Sequence, residues 1–200
     1  MPSKLFIALA GIVSLAASLP PAPRQCPQPV APGIVANPRH FNIYQSQPDH
    51  PTDSVPHLDL HTNITRQVVV FAGVPQAATA CSLGWRQGPA ATRVFRVDGS
   101  GLVSSRQLAA DEAFPAWAAA PLVNPTTIAP LQLAAGDFSA GMDFTFWDRP
   151  EFDAPATHAG PLVDCRETIV VELAVNLANG QDGRVFMQDD AENGLYISYS

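Results

Sequence analysis

The chain has 200 residues, of which 46% are apolar and 14% charged, with 20 prolines and a formal charge of -7. That size and apolar content suffice to bury one sizeable core, which excludes disorder throughout. With 11 basic residues scattered among 18 acidic ones, no basic face forms to neutralise phosphates, so nucleic acid and anionic membranes are not expected partners. No apolar stretch reaches the roughly 18 residues that a membrane-spanning helix requires.

In residues 1–18 the only lysine, Lys4, precedes an apolar run from Leu5 to Ala17. A short cationic head followed by an apolar core too short to span a bilayer predicts a secretory signal, cleaved near residue 17 or 18. The expected location is therefore extracellular or in a cell wall. Thiols in such an oxidising compartment pair rather than stay reactive. Cys81 and Cys165, both in strand-like apolar segments, are the expected pair, and Cys26 is the odd thiol or an alternative partner for either.

Residues 19–56 read as an extended, Pro-rich leader that can contribute one strand, Phe41–Tyr44. From residue 57 onward short alternating segments predict a β-domain. Ile64–Phe71 is strand-like, and Cys81, Leu83 and Trp85 share one face of an extended run while Ser82, Gly84 and Arg86 take the other. Val94–Val97 and Leu102–Ser105 flank the Gly-containing loop Asp98–Gly101 and predict a hairpin. Leu108–Phe114 is the best helix candidate, cut short by Pro115. Met142, Phe144 and Phe146 alternate with Asp143, Thr145 and Trp147. Thr168–Leu177 is the clearest strand, with Ile169, Val171, Leu173, Val175 and Leu177 on one face. Gly-containing turns then lead into Arg184–Met187 and Leu195–Tyr199, which predicts an antiparallel C-terminal meander. About eight strands with close turns and one bridge point to an all-β, antiparallel two-layer β-sandwich, with a jelly roll or β-barrel as the alternative.

Catalytic patterns are sparse. The Gly136–Gly141 stretch has one residue too many before Ser139 for a nucleophile elbow. His57, Asp59 and His61 would project from one strand face, as transition-metal ligands can. The Asp189–Gly194 run concentrates oxygen ligands of the kind calcium takes, without the alternate-residue spacing of a calcium loop. Glu151, Glu167 and Glu172 could serve a glycoside hydrolase if two carboxylates faced one cleft. His158, in a segment flanked by Pro and Gly, reads as a surface-loop residue. Trp117, Trp147, Tyr196 and Tyr199 are the candidate ligand contacts, whose rings could face sugar or protein, whereas Trp85 shares its face with Cys81 and reads as core. Asn63-Ile64-Thr65 is an N-glycosylation sequon.

Several short motifs stand out together: Ala80-Cys81-Ser82-Leu83-Gly84-Trp85, Trp117 with Pro121, Asp164-Cys165 ahead of a long strand, Phe186-Met187-Gln188-Asp189, and Gly194-Leu195-Tyr196-Ile197. Over roughly residues 40–200 the chain resembles the fungal family named for the C-terminal domain of the ubiquitin-three-binding protein But-two. The resemblance implies a β-rich domain with a Cys81 to Cys165 bridge, and secreted members without assigned catalytic residues. The expectation is a secreted, non-enzymatic binding protein without a cofactor, whose partner is a wall polysaccharide or an extracellular protein. A secreted hydrolase or a protein-interaction module is the alternative.

Overall fold

The computed structural model describes residues 30–47, 50, 52–108 and 139–200. The expected signal segment, Cys26, Trp117, most of the short helix candidate and the start of the Gly136–Gly141 stretch lie outside the described residues. Among the described residues there are thirteen strands and no helix: β1 (Gly33–Ala36), β2 (Arg39–Tyr44), β3 (Ser54–Val55), β4 (His57–His61), β5 (Thr65–Ala72), β6 (Cys81–Gln87), β7 (Phe95–Gly99), β8 (Leu102–Leu108), β9 (Ser139–Asp143), β10 (Ala156–Val163), β11 (Thr168–Val175), β12 (Gly183–Gln188) and β13 (Gly194–Tyr199). No helix among them is long and apolar enough to cross a membrane.

Antiparallel pairing gathers the strands into two layers. The smaller sheet runs β1-β13-β6-β10; the larger runs β7-β12-β4-β5-β11-β8-β9, with β2 added on β5 and β3 on β2. Alternating side chains dictate how the layers face each other. From the small sheet Cys81, Leu83, Trp85, Leu195 and Ile197 point inward; Leu58, Val69, Phe71, Ile169, Val171, Leu173 and Met187 meet them from the large sheet, all at most 3% exposed. Each such side chain contributes about 1.5–3 kcal/mol by leaving water. The expected two-layer β-sandwich is what forms.

The Cys81–Cys165 disulfide is present, spanning 84 positions of sequence. Val163 of β10 pairs with Cys81 in the small sheet, and Thr168 opens β11 in the large one. The bridge therefore clamps the point where the chain crosses between layers.

The structure departs from the local reading in four places. β7 and β8 form no hairpin: β7 pairs with β12, and β8 with β11 and β9. The Asp98–Gly101 loop is instead held by the amide of Ser100 donating to the Asp182 carbonyl. The C-terminal strands form no meander, because β11 pairs with β5 and β8, β12 with β4 and β7, and β13 crosses to β6 and β1. Leu177 lies past the end of β11 and is 50% exposed. The Pro-rich leader supplies β1, β2 and β3, so the folded unit extends well upstream of residue 57.

Buried polar side chains fasten those added strands. The Gln67 amide donates to Asn42 Oδ1 at 2.7 Å and to the His57 carbonyl, while its own oxygen accepts from the Asp59 amide. One glutamine thus joins β2, β4 and β5 where β4 and β5 share a single backbone pair. The fully buried His40 side chain meets Asp189 Oδ2 through Nε2 at 2.7 Å, tying β2 to the turn before β13. Unmade, such buried polar groups would cost about 1–3 kcal/mol each.

Candidate ligand-binding face

The expected metal ligands His57, Asp59 and His61 do share one face of β4, but Asp59 is engaged elsewhere. Asp59 takes Arg184 through both oxygens, at 2.9 and 3.0 Å, and His57 lies 5.1 Å from the Phe186 ring. Burial holds the His57 imidazole below its ordinary pKa, with Asp59 opposing and His40 and Arg184 reinforcing. Among the described residues no three His, Cys, Asp or Glu side chains converge on a metal-sized site. The acidic run is spent on its own turn: Asp190 Oδ1 accepts the backbone amides of Glu192 and Asn193 and the Asn193 side chain. Burial opposes ionisation of Asp190, and those hydrogen bonds, with Arg86, overcome it and hold the carboxyl below its usual value. Asp189 is held by His40.

The facing carboxylates that glycoside hydrolysis needs are not formed by Glu172, whose partners are Arg66 and Arg106. Glu151 and Glu167 are exposed on different loops.

Of the four aromatic candidates, Trp117 lies outside the described residues and two are turned inward. Trp147 joins an aromatic cluster over Trp85, 6.1 Å from it, with His158 at 4.1 Å and Phe152 at 4.6 Å. It is Phe146, at φ +73° and 52% exposed, that faces solvent, because β9 ends at Asp143 and a turn replaces the expected alternation. Tyr199 follows the parity of Leu195 and Ile197 and packs on the core, against Gly33 of β1. Three residues away along a strand, Tyr196 must point to the opposite face.

His158 is likewise no surface-loop residue. Its ring stacks on Trp85 at 3.7 Å and 14°, and burial pushes its pKa down. Folded protein keeps this imidazole neutral while the unfolded chain takes up a proton below about pH 6.5, so stability falls as pH drops through that value and levels off once the folded imidazole protonates too. His57 adds to the same slope, and Asp190 titrates well below it. The expected result is that wild type loses urea resistance between pH 7.5 and 5.5. His158→Phe, which keeps a stacked ring, should lose measurably less over that interval. An unchanged pH slope in the variant would show that His158 is not a source of it.

What remains open is the outer face of the small sheet. The outer face of the large sheet is closed, since Phe41, Ile43, Val68, Val70, Leu108 and Val170 form a second apolar cluster at most 3% exposed. On the small sheet, by contrast, Ile34 is 54% and Leu162 84% exposed. Between them Ser82 and Ser198 share a hydrogen bond at 2.7 Å. The Tyr196 ring lies across β6 over Gly84, with its hydroxyl donating to the His158 carbonyl at 3.2 Å. A Cβ at Gly84 would sit 2.5 Å from that ring and 2.8 Å from the same carbonyl. Only glycine allows the ring to lie flat there. Burial raises the Tyr196 pKa, against the pull of Arg86, so the phenol stays a neutral donor at physiological pH.

The strip ends in a cleft of about 370 Å³ lined by Arg86, Gln87, Pro89, Pro155, Thr157 and Glu192, among others. Its chemistry is mixed. Prolines supply apolar walls, Arg86 donates, Glu192 accepts, and Thr157 can do both. Gln87 is 2% exposed, and its Oε1 has no hydrogen-bond partner; nor does Arg86 Nε. Sequence reasoning reached Tyr196 but missed Arg86, Gln87 and Glu192. The available clue was Gly84, a glycine inside an otherwise bulky strand, which marks close approach of another group.

Fold and face together define a disulfide-clamped, antiparallel β-sandwich with one closed and one open outer surface. No protein-family model, curated protein or solved structure matches the chain.

Proposed function

We propose that the protein is a secreted, non-enzymatic binding domain that holds a polyhydroxylated ligand, in the first instance a cell-wall polysaccharide, on the outer face of its small sheet. The observation that carries this reading is the Tyr196 ring laid over Gly84 beside a cleft offering Arg86, Thr157 and Glu192 between proline walls. Sugar rings present the same alternation of apolar faces and hydroxyl edges, and an aromatic ring with flanking donors and acceptors suits both. Export is supported by the Lys4-headed apolar segment and by the clamp disulfide, a bond that persists in oxidising compartments. The motif resemblance to the But-two C-terminal family supports an extracellular β-domain as well.

Retention on insoluble chitin, β-glucan and mannan tests the reading. Wild type should be held by at least one of them, and Tyr196→Ala should weaken that binding about tenfold or more, equivalent to ~1.4 kcal/mol for a central aromatic contact. No retention on any polymer would sink the carbohydrate reading. An extracellular protein partner would then be favoured by the exposed Leu162 and Ile34, which pair with Ser82 and Ser198 and so flank the same face.

A further inference from the structure

The β4–β5 hairpin carries a feature that the binding face does not use. Its tip is rigidly held: the Thr62 hydroxyl accepts from the Gly183 amide at 2.9 Å, the Thr62 amide donates to the Gly183 carbonyl, and the Ile64 amide closes the turn on the His61 carbonyl. Asn63, at the apex, is exposed and sits at φ +57°, a left-handed conformation that asparagine tolerates better than most residues. Ile64 beside it is 49% exposed. Directly against Asn63 opens a cleft of about 330 Å³, separate from the Tyr196 strip, to which His61, Thr65, Gln45, Asn176 and Leu177 also contribute. Leu177 offers a half-exposed apolar wall, and Gln45 and Asn176 offer amide groups at its rim.

We propose that Asn63 bears an N-linked glycan and that this cleft seats its first sugar. The inference rests on the extracellular reading, because only an exported chain meets the transferase that modifies Asn-x-Thr. A sugar joined to Asn63 Nδ2 begins at the mouth of the cleft. Its apolar ring face can cover Leu177, and its acetamide and hydroxyls can reach Gln45 and Asn176. The glycan thereby covers apolar surface that the fold leaves in water. A fixed turn adds to this, since the anchor atom needs little further ordering when the sugar docks.

The full chain with its own leader, secreted from a yeast, provides the test. Intact mass before and after endoglycosidase treatment reads occupancy, and Asn63→Gln should abolish the mass shift. Thermal midpoints are then compared for the intact glycoprotein, the form trimmed to one sugar, and the fully stripped form. Stripping should lower Tm by about 2–4 °C, a single retained sugar should preserve most of that difference, and Leu177→Ser should erase it without changing occupancy. A protein recovered from the medium with Asn63 unmodified overturns the glycan and leaves the extracellular reading intact. Full occupancy with a Tm indifferent to trimming overturns the seat, and a chain retained inside the cell overturns both readings.

Discussion

Cys165→Ala is expected to cost about 4–5 kcal/mol of unfolding free energy, the loop-closure entropy that a bridge across more than eighty residues removes from the unfolded chain. The closed loop spans 84 positions of sequence and contains β6, β7, β8, β9 and β10. The bridge anchors the crossing itself, since β10 ends beside Cys81 at Val163, β11 starts the other sheet at Thr168, and Cys165 lies in the link between them. Truncating Cys165 rather than Cys81 is the cleaner test, because Cys81 is 3% exposed in the core and its thiol can remain there as a small apolar group. Urea unfolding with and without reductant measures the effect. The variant should match reduced wild type, and both should show a larger m-value than oxidised wild type, because the unlinked denatured chain exposes more surface. A loss under about 1 kcal/mol would mean that the interlayer core, not the bridge, holds the crossing point. Against a typical total of 5–15 kcal/mol, the expected loss is large enough to leave the variant marginal at 37 °C.

The elements whose evidence is purely local were legible. Inward Cys81, Leu83 and Trp85 with outward Ser82, Gly84 and Arg86, and inward Ile169, Val171, Leu173 and Val175, follow from period-two alternation alone. Partner choice was not, because a Gly-containing turn reverses the chain without deciding which strand it meets. Gly99 and Gly101 border the short link between β7 and β8, yet the two strands go to different neighbours, Val97 lying opposite Val185 and Val103 opposite Val175. Two of the aromatic candidates, Tyr199 and Trp147, turn inward for different reasons. Tyr199 is close to Tyr196 in sequence, but parity places the two on opposite faces; Trp147 would face outward only if the strand continued past Asp143, where instead the chain turns and Phe146 takes the exposed position. The cleft residues Arg86, Gln87 and Glu192 come from β6 and the turn before β13, segments that only the β6–β13 register brings together.

Glu172→Ala is expected to cost about 3–5 kcal/mol, the usual consequence of removing one partner from a buried ionic cluster. The carboxylate, 2% exposed at its side chain, accepts from Arg66 Nη1 at 2.7 Å on one oxygen and from Arg106 on the other. Val68 and Arg106 are its cross-strand neighbours, so the cluster sits beside the closed apolar face and water cannot easily replace the lost anion. Without it two guanidinium groups face each other, Arg106 only 13% exposed and Arg66 32%. Glu172→Gln should cost less than the alanine variant, since an amide oxygen still accepts one hydrogen bond, whereas Glu167→Gln on an exposed loop should stay within about 0.5 kcal/mol of wild type. This ordering separates structure from catalysis. A catalytic carboxylate would lose turnover on conversion to Gln while stability held, and would not need both oxygens committed to arginines. If Glu172→Ala costs under 1 kcal/mol by urea unfolding, the cluster is not what keeps that region of the large sheet in place, and the case for a free, reactive Glu172 reopens.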